Sequence, residues 1–182
     1  LYECPHCHYV NNSIEVNLGV TKKDIEAPEY TKIVNSHNDN NEYRYGEIKK
    51  YILYAMLCEK IKNFKEAGKA YQCASWLFEN IFDIPNERYY ALLACEKFLT
   101  DPETCKNKDY LLYCVDIYRR QLEYEKAQDI LNKIGITRDI YYDSIVKFQK
   151  KLLKKRDSTN HYFDEIRAVR KIQKKKKILE ED

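Results

Sequence analysis

The residues best suited to chemistry are two cysteines near the start of the chain. Cys4 and Cys7 flank Pro5 and His6, so the sequence there is C-P-x-C. A tight turn at this spacing brings both sulfurs to one point, where zinc binds thiolates in a tetrahedral site. We therefore predict that Cys4 and Cys7 are metal ligands and that the metal is zinc.

Two cysteines supply only half of a four-coordinate zinc site. The sequence offers His6, His8 and His37 as further ligands, and cysteines preceding Leu1 could also contribute. With this chain alone, we expect zinc to be absent or weakly bound. Two alternatives stay open, an inert remnant of a site and a redox pair. A redox C-x-x-C is usually preceded by a strand and followed by a helix, whereas residues 8–13 resemble a turn.

Glycine and proline are scarce, and this scarcity bears on the fold class. The chain has 182 residues but only four glycines and four prolines. Sheet proteins need turn residues at short intervals, while long helices need almost none. The composition therefore favours an all-α fold.

The cysteine count and the hydropathy bear on the compartment. Seven cysteines make an odd number, and several fall at apolar-periodic positions, which is typical of reduced thiols in a cytoplasmic protein. No apolar run approaches the roughly 18 residues that a membrane span requires. We predict a cytoplasmic protein with no membrane partner.

A change of pattern at Gly46 indicates where the helical body begins. From there apolar residues recur at spacings of three and four, as on one face of a helix. The second helix is predicted to end near Pro85 and the third to be capped by Asn86. The predicted divisions are 1–45 for an N-terminal knuckle and linker, 46–135 for the helical body, and 136–182 for C-terminal helices with a basic tail.

Two helix pairs in this body resemble tetratricopeptide repeats. Alanines at a helix crossing let two backbones approach, and a large residue between them fills the next groove. The second-helix pattern occurs as Phe64, Ala67, Tyr71 and Ala74, and again as Tyr124, Ala127, Leu131 and Ile134. The resemblance implies antiparallel helix pairs in an α-α superhelix, with a short N-terminal knuckle. The predicted core is Ala67, Tyr71, Ala74, Trp76, Leu93, Leu111, Tyr118, Ala127 and Leu131, with Tyr89 also facing inward.

The order of knuckle and helix pairs resembles a bacterial family, domain of unknown function 2225. The run from Cys4 to Tyr9 is similar to the family's knuckle, with His8 in place of a glycine. Residues 55–58 and 70–77 are similar to its first helix pair, and Arg119-Arg120 to its second. The resemblance implies a zinc knuckle ahead of a tetratricopeptide-like body, and it implies no activity.

Motifs of common enzyme classes are missing from the sequence. It contains no G-x-x-x-x-G-K-[ST] phosphate loop, no H-E-x-x-H and no G-x-S-x-G. We predict that the chain is not an enzyme. The favoured function is a protein–protein interaction module that presents a helical-repeat surface to a peptide or protein partner. The candidate partner-binding residues are Tyr54, Lys62, Tyr90, Tyr113 and Arg120.

Uneven charge suggests an alternative function. Residues 147–177 hold 13 lysines and arginines against three acidic residues, so this segment carries +10 in a chain whose total is +3. A break at residues 157–160 is predicted to precede a final basic helix. The alternative is a nucleic-acid-binding protein that uses the basic C-terminal segment and the zinc knuckle. The basic segment could equally be solvated or lie against the acidic body.

Overall fold

Helices make up 70% of the residues that the structure describes, and strands make up 3%. This computed structural model describes residues 1–13, 16–36, 42–135, 139–162 and 165–166. The predicted all-α class is confirmed. Within those ranges the elements are β1 Tyr2–Glu3, β2 Val10–Asn11, α1 Lys22–Ile25, α2 Pro28–Val34, α3 Glu42–Lys60, α4 Phe64–Asn80, α5 Ile84–Thr100, a 3-10 turn at Thr104–Lys106, α6 Lys108–Arg120, α7 Tyr124–Ile134 and α8 Ile140–Lys155.

The chain divides into two compact units. Unit 1 is Leu1–Cys105 and unit 2 is Lys106–Asp182. This differs from the predicted boundaries after residues 45 and 135. In unit 1, β2 and α2 pack against α3, which joins the N-terminal segment to the first helical hairpins. In unit 2, α8 packs with α6 and α7, so the predicted C-terminal segment is part of the same unit as those helices.

One turn geometry joins three pairs of successive helices, α3–α4, α4–α5 and α6–α7. The middle residue of each three-residue turn has a positive φ, 59° at Lys62, 59° at Phe82 and 65° at Leu122. The next residue donates its N–H to a carbonyl near the end of the preceding helix, which is the long bond of a Schellman motif. Such short connections make neighbouring helices antiparallel. The bonds are Asn63 N to Cys58 O at 2.9 Å, Asp83 N to Phe78 O at 3.0 Å, and Glu123 N to Tyr118 O at 2.9 Å.

The start of α5 corrects two predictions. Asp83 is the N-cap, and its side chain accepts a hydrogen bond from the N–H of Asn86, which was predicted to be the cap. Pro85 lies in the first turn of α5, so it does not terminate α4, which ends earlier at Asn80. Proline is tolerated there because N–H groups in the first helical turn have no intrahelical partner.

Unit 1 is built around α4, which packs against both α3 and α5. On α4, Ala67 and Ala74 are fully buried and Tyr71 is 4% exposed. Between α4 and α5, Gly68 faces the ring of Phe98, and a Cβ at position 68 would lie 2.6 Å from Cε1 of that ring. The close packing of these two helices therefore depends on a missing side chain.

The predicted core is largely confirmed, but Trp76 and Tyr89 are errors, since both are exposed. Trp76 is 51% exposed. It lies two positions from both Ala74 and Phe78, and two positions are about 200° around a helix, so Trp76 lies on the opposite face. Leu93 and Tyr118 are half-buried. The remaining six predicted core residues are buried: Ala67, Tyr71, Ala74, Leu111, Ala127 and Leu131.

A buried arginine organises unit 2. Arg119 of α6 is 0% exposed. Its guanidinium donates to Oδ1 of Asp116 at 2.6 Å and to Oε1 of Gln149 at 3.1 Å. It also donates to the main-chain carbonyls of Asp157 and Thr159, which follow α8. A buried charge is stable only when it has ionic and hydrogen-bond partners such as these. The hydrogen bonds to Asp157 and Thr159 also connect the segment that follows α8 to helix α6.

No described helix is both long enough and apolar enough to cross a lipid bilayer. Residues 167–182, which hold most of the predicted final basic helix, lie outside the described residues.

Candidate functional site

The knuckle, residues 4–9, is the loop of a short antiparallel hairpin. In its two strands, Tyr2 pairs with Asn11 and Glu3 with Val10. The N–H of Cys4 donates to the carbonyl of Tyr9, and the N–H of His8 donates to the carbonyl of Cys4, each at 2.9 Å. The loop therefore turns back on itself between the two cysteines, as the C-P-x-C spacing predicts.

The turn stabilises a thiolate at Cys4. The pKa of Cys4 lies below its ordinary value because its sulfur accepts hydrogen bonds, first from the backbone N–H of Cys7 and then from that of His6. A third hydrogen bond joins it to the side chain of Cys7. Zinc ligation and thiol redox chemistry both use a thiolate, so this geometry suits either interpretation.

Further metal ligands are not gathered around the knuckle. His6 is exposed, and His37 lies outside the described residues. Nδ1 of His8 lies 2.8 Å from Oε1 of Glu3, so that nitrogen has a partner within the hairpin. Among the described residues, no group of three or more histidine, cysteine or acidic side chains is arranged to hold a metal. Zinc at Cys4 and Cys7 therefore stays a prediction.

The hairpin is firmly attached to the rest of unit 1. Val10 is 0% exposed, and its strand packs against α3. Tyr30 of α2 is 1% exposed and donates its hydroxyl to the carbonyl of His8 at 2.6 Å. Burial raises the pKa of Tyr30, so it remains a neutral donor. The knuckle is thus anchored from both sides, although it is far in sequence from the helical core.

The cysteines on the helices have the surroundings of packing residues. Cys58, Cys95 and Cys114 are buried, and Cys73 is half-buried. Burial raises the pKa of Cys58 to about 11, which keeps it a neutral thiol near pH 7. Their environment is that of small apolar side chains.

The five predicted partner-binding residues differ in exposure and are divided between the two units. Tyr54 is 7% exposed and Tyr90 is 9% exposed, so both are largely buried in unit 1. Tyr54 also lines a surface pocket together with Tyr51 and Lys69. The ring of Tyr90 stacks on that of Phe78, with centroids 5.3 Å apart. Lys62 is exposed in the α3–α4 turn. Tyr113 and Arg120 are half-buried on α6 in unit 2.

The α4–α5 hairpin exposes large apolar side chains that the sequence did not single out as a surface. Phe82 in its turn is 86% exposed, Tyr89 on α5 is 57% exposed and Trp76 on α4 is 51% exposed. Ile84, the first residue of α5, is 42% exposed. Tyr89 was predicted to face inward, and the structure corrects this as it does for Trp76. The position of each residue around its helix would have shown this, because Trp76 and Tyr89 are not spaced three or four residues from most of their buried neighbours.

Comparison with known proteins yields no match. No family model, no curated protein and no solved structure matches this chain. Function must therefore be inferred from the residues described above.

Proposed function

We propose that this chain is a protein–protein interaction module and that its partner contacts the α4–α5 hairpin. The observation that carries the proposal is the concentration of exposed apolar side chains there. Among the described residues, nine large apolar side chains are exposed, and four of them belong to this hairpin: Trp76, Phe82, Ile84 and Tyr89.

The chemistry of these side chains suits a protein partner. Singly scattered apolar residues on a surface need no explanation, whereas exposed apolar side chains grouped together are typical of a contact site. Four such side chains within one helical hairpin favour the second case. Tryptophan and tyrosine are enriched among the residues that contribute most to binding. Covering apolar area is worth about 25 cal/mol per Å², so aromatic rings of this size supply a large share of an affinity.

The backbone beneath the side chains is rigid. α4 is packed on both sides, and the α4–α5 turn is closed by the bond from Asp83 N to Phe78 O at 3.0 Å. The side chain of Asp83 also caps α5. A surface built on such a frame loses little conformational entropy when a partner binds.

The repeated turn supports a tetratricopeptide-like arrangement as part of the proposal. Its recurrence at Lys62, Phe82 and Leu122 gives three antiparallel helix pairs of one local geometry. Stacked helix pairs commonly present a surface to a peptide or protein. We also propose that the chain is related to the domain of unknown function 2225 family. In the same proposal, its role is binding rather than catalysis, and it acts in the cytoplasm.

Site-specific photo-crosslinking in the source cell tests it. Phe82 is replaced by p-benzoyl-L-phenylalanine, and Tyr2, which is 60% exposed on β1 of the same unit, receives the same replacement as a control. We expect a discrete protein adduct from position 82 and none from position 2. Equal adducts from both positions, or none from position 82, would contradict the proposed surface.

A further inference from the structure

One face of α8 is formed by lysines. Lys147, Lys150, Lys151, Lys154 and Lys155 are all exposed, and their spacings of three and four place them side by side on the helix. We call these five residues the lysine face. The opposite face is apolar and is buried within unit 2 through Ile145, Val146, Leu152 and Leu153. α8 is therefore fixed in place with a basic row directed at solvent.

Within the described ranges, most of this charge has no ion-pair partner. Lys147 pairs with Asp143 at 2.7 Å, and the neighbouring Arg156 pairs with Glu125 at 3.6 Å. Among the described residues, no carboxylate forms an ion pair with Lys150, Lys151, Lys154 or Lys155.

Two acidic residues lie in the same groove as part of this face without pairing with it. Lys150 and Lys154 line a groove between α7 and α8 together with Glu125 and Asp129. Neither carboxylate is in an ion pair with either lysine. Within the described part of the chain, the lysine face therefore holds four lysines without an ion-pair partner, and an external anion could bind to them.

We propose that the lysine face binds the phosphate backbone of double-stranded nucleic acid. With a rise of about 1.5 Å per residue, lysines three or four positions apart lie about 4.5–6 Å apart along the helix axis. A row of this kind can neutralise several successive phosphates of a duplex, whose charge density is high and regular. This inference concerns unit 2 and does not depend on the partner proposed for unit 1.

Two other polyanions fit the lysine face less well. A helix that binds an anionic membrane inserts its apolar face into the lipid, whereas the apolar face of α8 is buried in protein. Proteins that bind single strands stack bases on aromatic side chains within the basic groove. Tyr124 lines the groove beside Lys150 and Lys154, but the guanidinium of Arg156 already lies over its ring, 4.8 Å from the centroid. A duplex needs only the phosphate contacts.

Fluorescence anisotropy of the full chain with a labelled duplex tests the proposal. The variant Lys150→Gln/Lys151→Gln/Lys154→Gln removes three charges from the lysine face. The matched control Lys22→Gln/Lys23→Gln/Lys32→Gln removes three exposed charges from unit 1. A third variant with Lys→Arg at positions 150, 151 and 154 preserves the charge. Binding is measured across a salt series, alongside a labelled single strand and phosphatidylserine vesicles.

We expect the lysine-face variant to bind the duplex at least roughly tenfold more weakly, and the slope of log K against log salt to fall by about 2–3. The control and the arginine variant should retain the affinity of the parent chain. No duplex binding, an equal loss in the control, or an unchanged lysine-face variant would overturn the proposal. Preferential binding to single strands or to vesicles would overturn it as well.

Discussion

At the scale of single residues, Gly68 is the tightest point in the packing of unit 1. We expect Gly68→Ala to destabilise the protein by about 1–3 kcal/mol, because overpacking displaces side chains or backbone. A new Cβ there would lie 2.6 Å from the ring of Phe98. Gly46→Ala in α3 is the matched control, since nothing lies within 4 Å of its Cβ position. That change should stabilise α3 by up to about 1 kcal/mol. Urea denaturation measures both, and equal effects of the two variants would contradict the described packing.

His161 gives the protein a pH-dependent contact after α8. Its Nδ1 lies 2.8 Å from Oε2 of Glu165, and its Nε2 lies 3.2 Å from Oδ2 of Asp157. Burial acts to lower the pKa of His161, but the hydrogen bonds to Glu165 and Asp157 outweigh burial, so the pKa is raised. The stabilisation is therefore fully present below the ordinary histidine pKa of about 6.5 and is lost as pH rises through the higher folded value.

An NMR titration of the His161 ring checks this sign. We expect a pKa above that of an unstructured histidine, and a lower pKa in Glu165→Gln, which removes one negative partner. A His161 pKa at or below about 6.5 would show that burial dominates instead.

Cys4 and Cys7 carry the metal prediction. We expect elemental analysis of the purified chain to find less than one zinc per molecule, because two protein ligands rarely hold zinc against water. Cys4 is half-buried and Cys7 exposed, and the buried contacts of the hairpin come from Val10 and Tyr30. The melting temperature of Cys4→Ser/Cys7→Ser should therefore match that of the parent. Stoichiometric zinc, or a large drop in melting temperature, would assign the knuckle a greater role.

At the scale of elements, the three equivalent turns place residues other than glycine in the left-handed region. Phe82 and Leu122 have φ values of 59° and 65° and are 86% and 61% exposed. A left-handed conformation costs an L-residue about 1–2 kcal/mol, and glycine avoids this cost. Glycine also has more conformational entropy in the unfolded state, which offsets part of the gain in stability. We expect Phe82→Gly and Leu122→Gly each to stabilise the protein by about 0.5–1 kcal/mol. Phe82→Ala and Leu122→Ala are the controls, because alanine keeps the Cβ and should not stabilise.

The periodicity of apolar residues predicted where the helices lie. It predicted their end residues and their exposed faces less accurately. The spacing of Ala67, Tyr71 and Ala74 located the buried face of α4 correctly, because a helix crossing demands small residues at fixed intervals. Pro85 was misassigned because proline both ends helices and occupies their first turns. Trp76 was misassigned because a large apolar residue was assumed to be buried, although its phase places it outside.

Long-range pairing was out of reach of the sequence. Residue type does not distinguish Arg119 from Arg120, yet Arg119 is 0% exposed and Arg120 is only half-buried. The partners of Arg119 include Gln149 and the carbonyls of Asp157 and Thr159, which are distant in sequence. The same holds for Tyr54 and Tyr90, whose burial depends on tertiary neighbours rather than on residue type.

At the scale of the whole molecule, the two units present different surfaces. The exposed apolar side chains of the α4–α5 hairpin belong to unit 1, and the lysine face belongs to unit 2. The N-terminal strand β2 and helix α2 pack on α3, so they belong to the same compact unit as the first helices of the body. Composition did locate the basic region, since charge is a sum over residues and needs no knowledge of folding.

If the α4–α5 hairpin binds a protein partner, removing its exposed aromatic side chains must weaken that binding, and an affinity measurement can detect the loss. The protein captured from position 82 is purified and titrated by calorimetry against the parent chain, Trp76→Ala and Phe82→Ala. The control is Tyr2→Ala, an exposed aromatic of the same unit outside the hairpin. We predict that at least one hairpin variant raises Kd roughly 30-fold or more, as expected when about 2 kcal/mol is lost at a hot spot, while Tyr2→Ala leaves Kd unchanged. Unchanged affinity in both hairpin variants, or an equal loss in Tyr2→Ala, would contradict the claim.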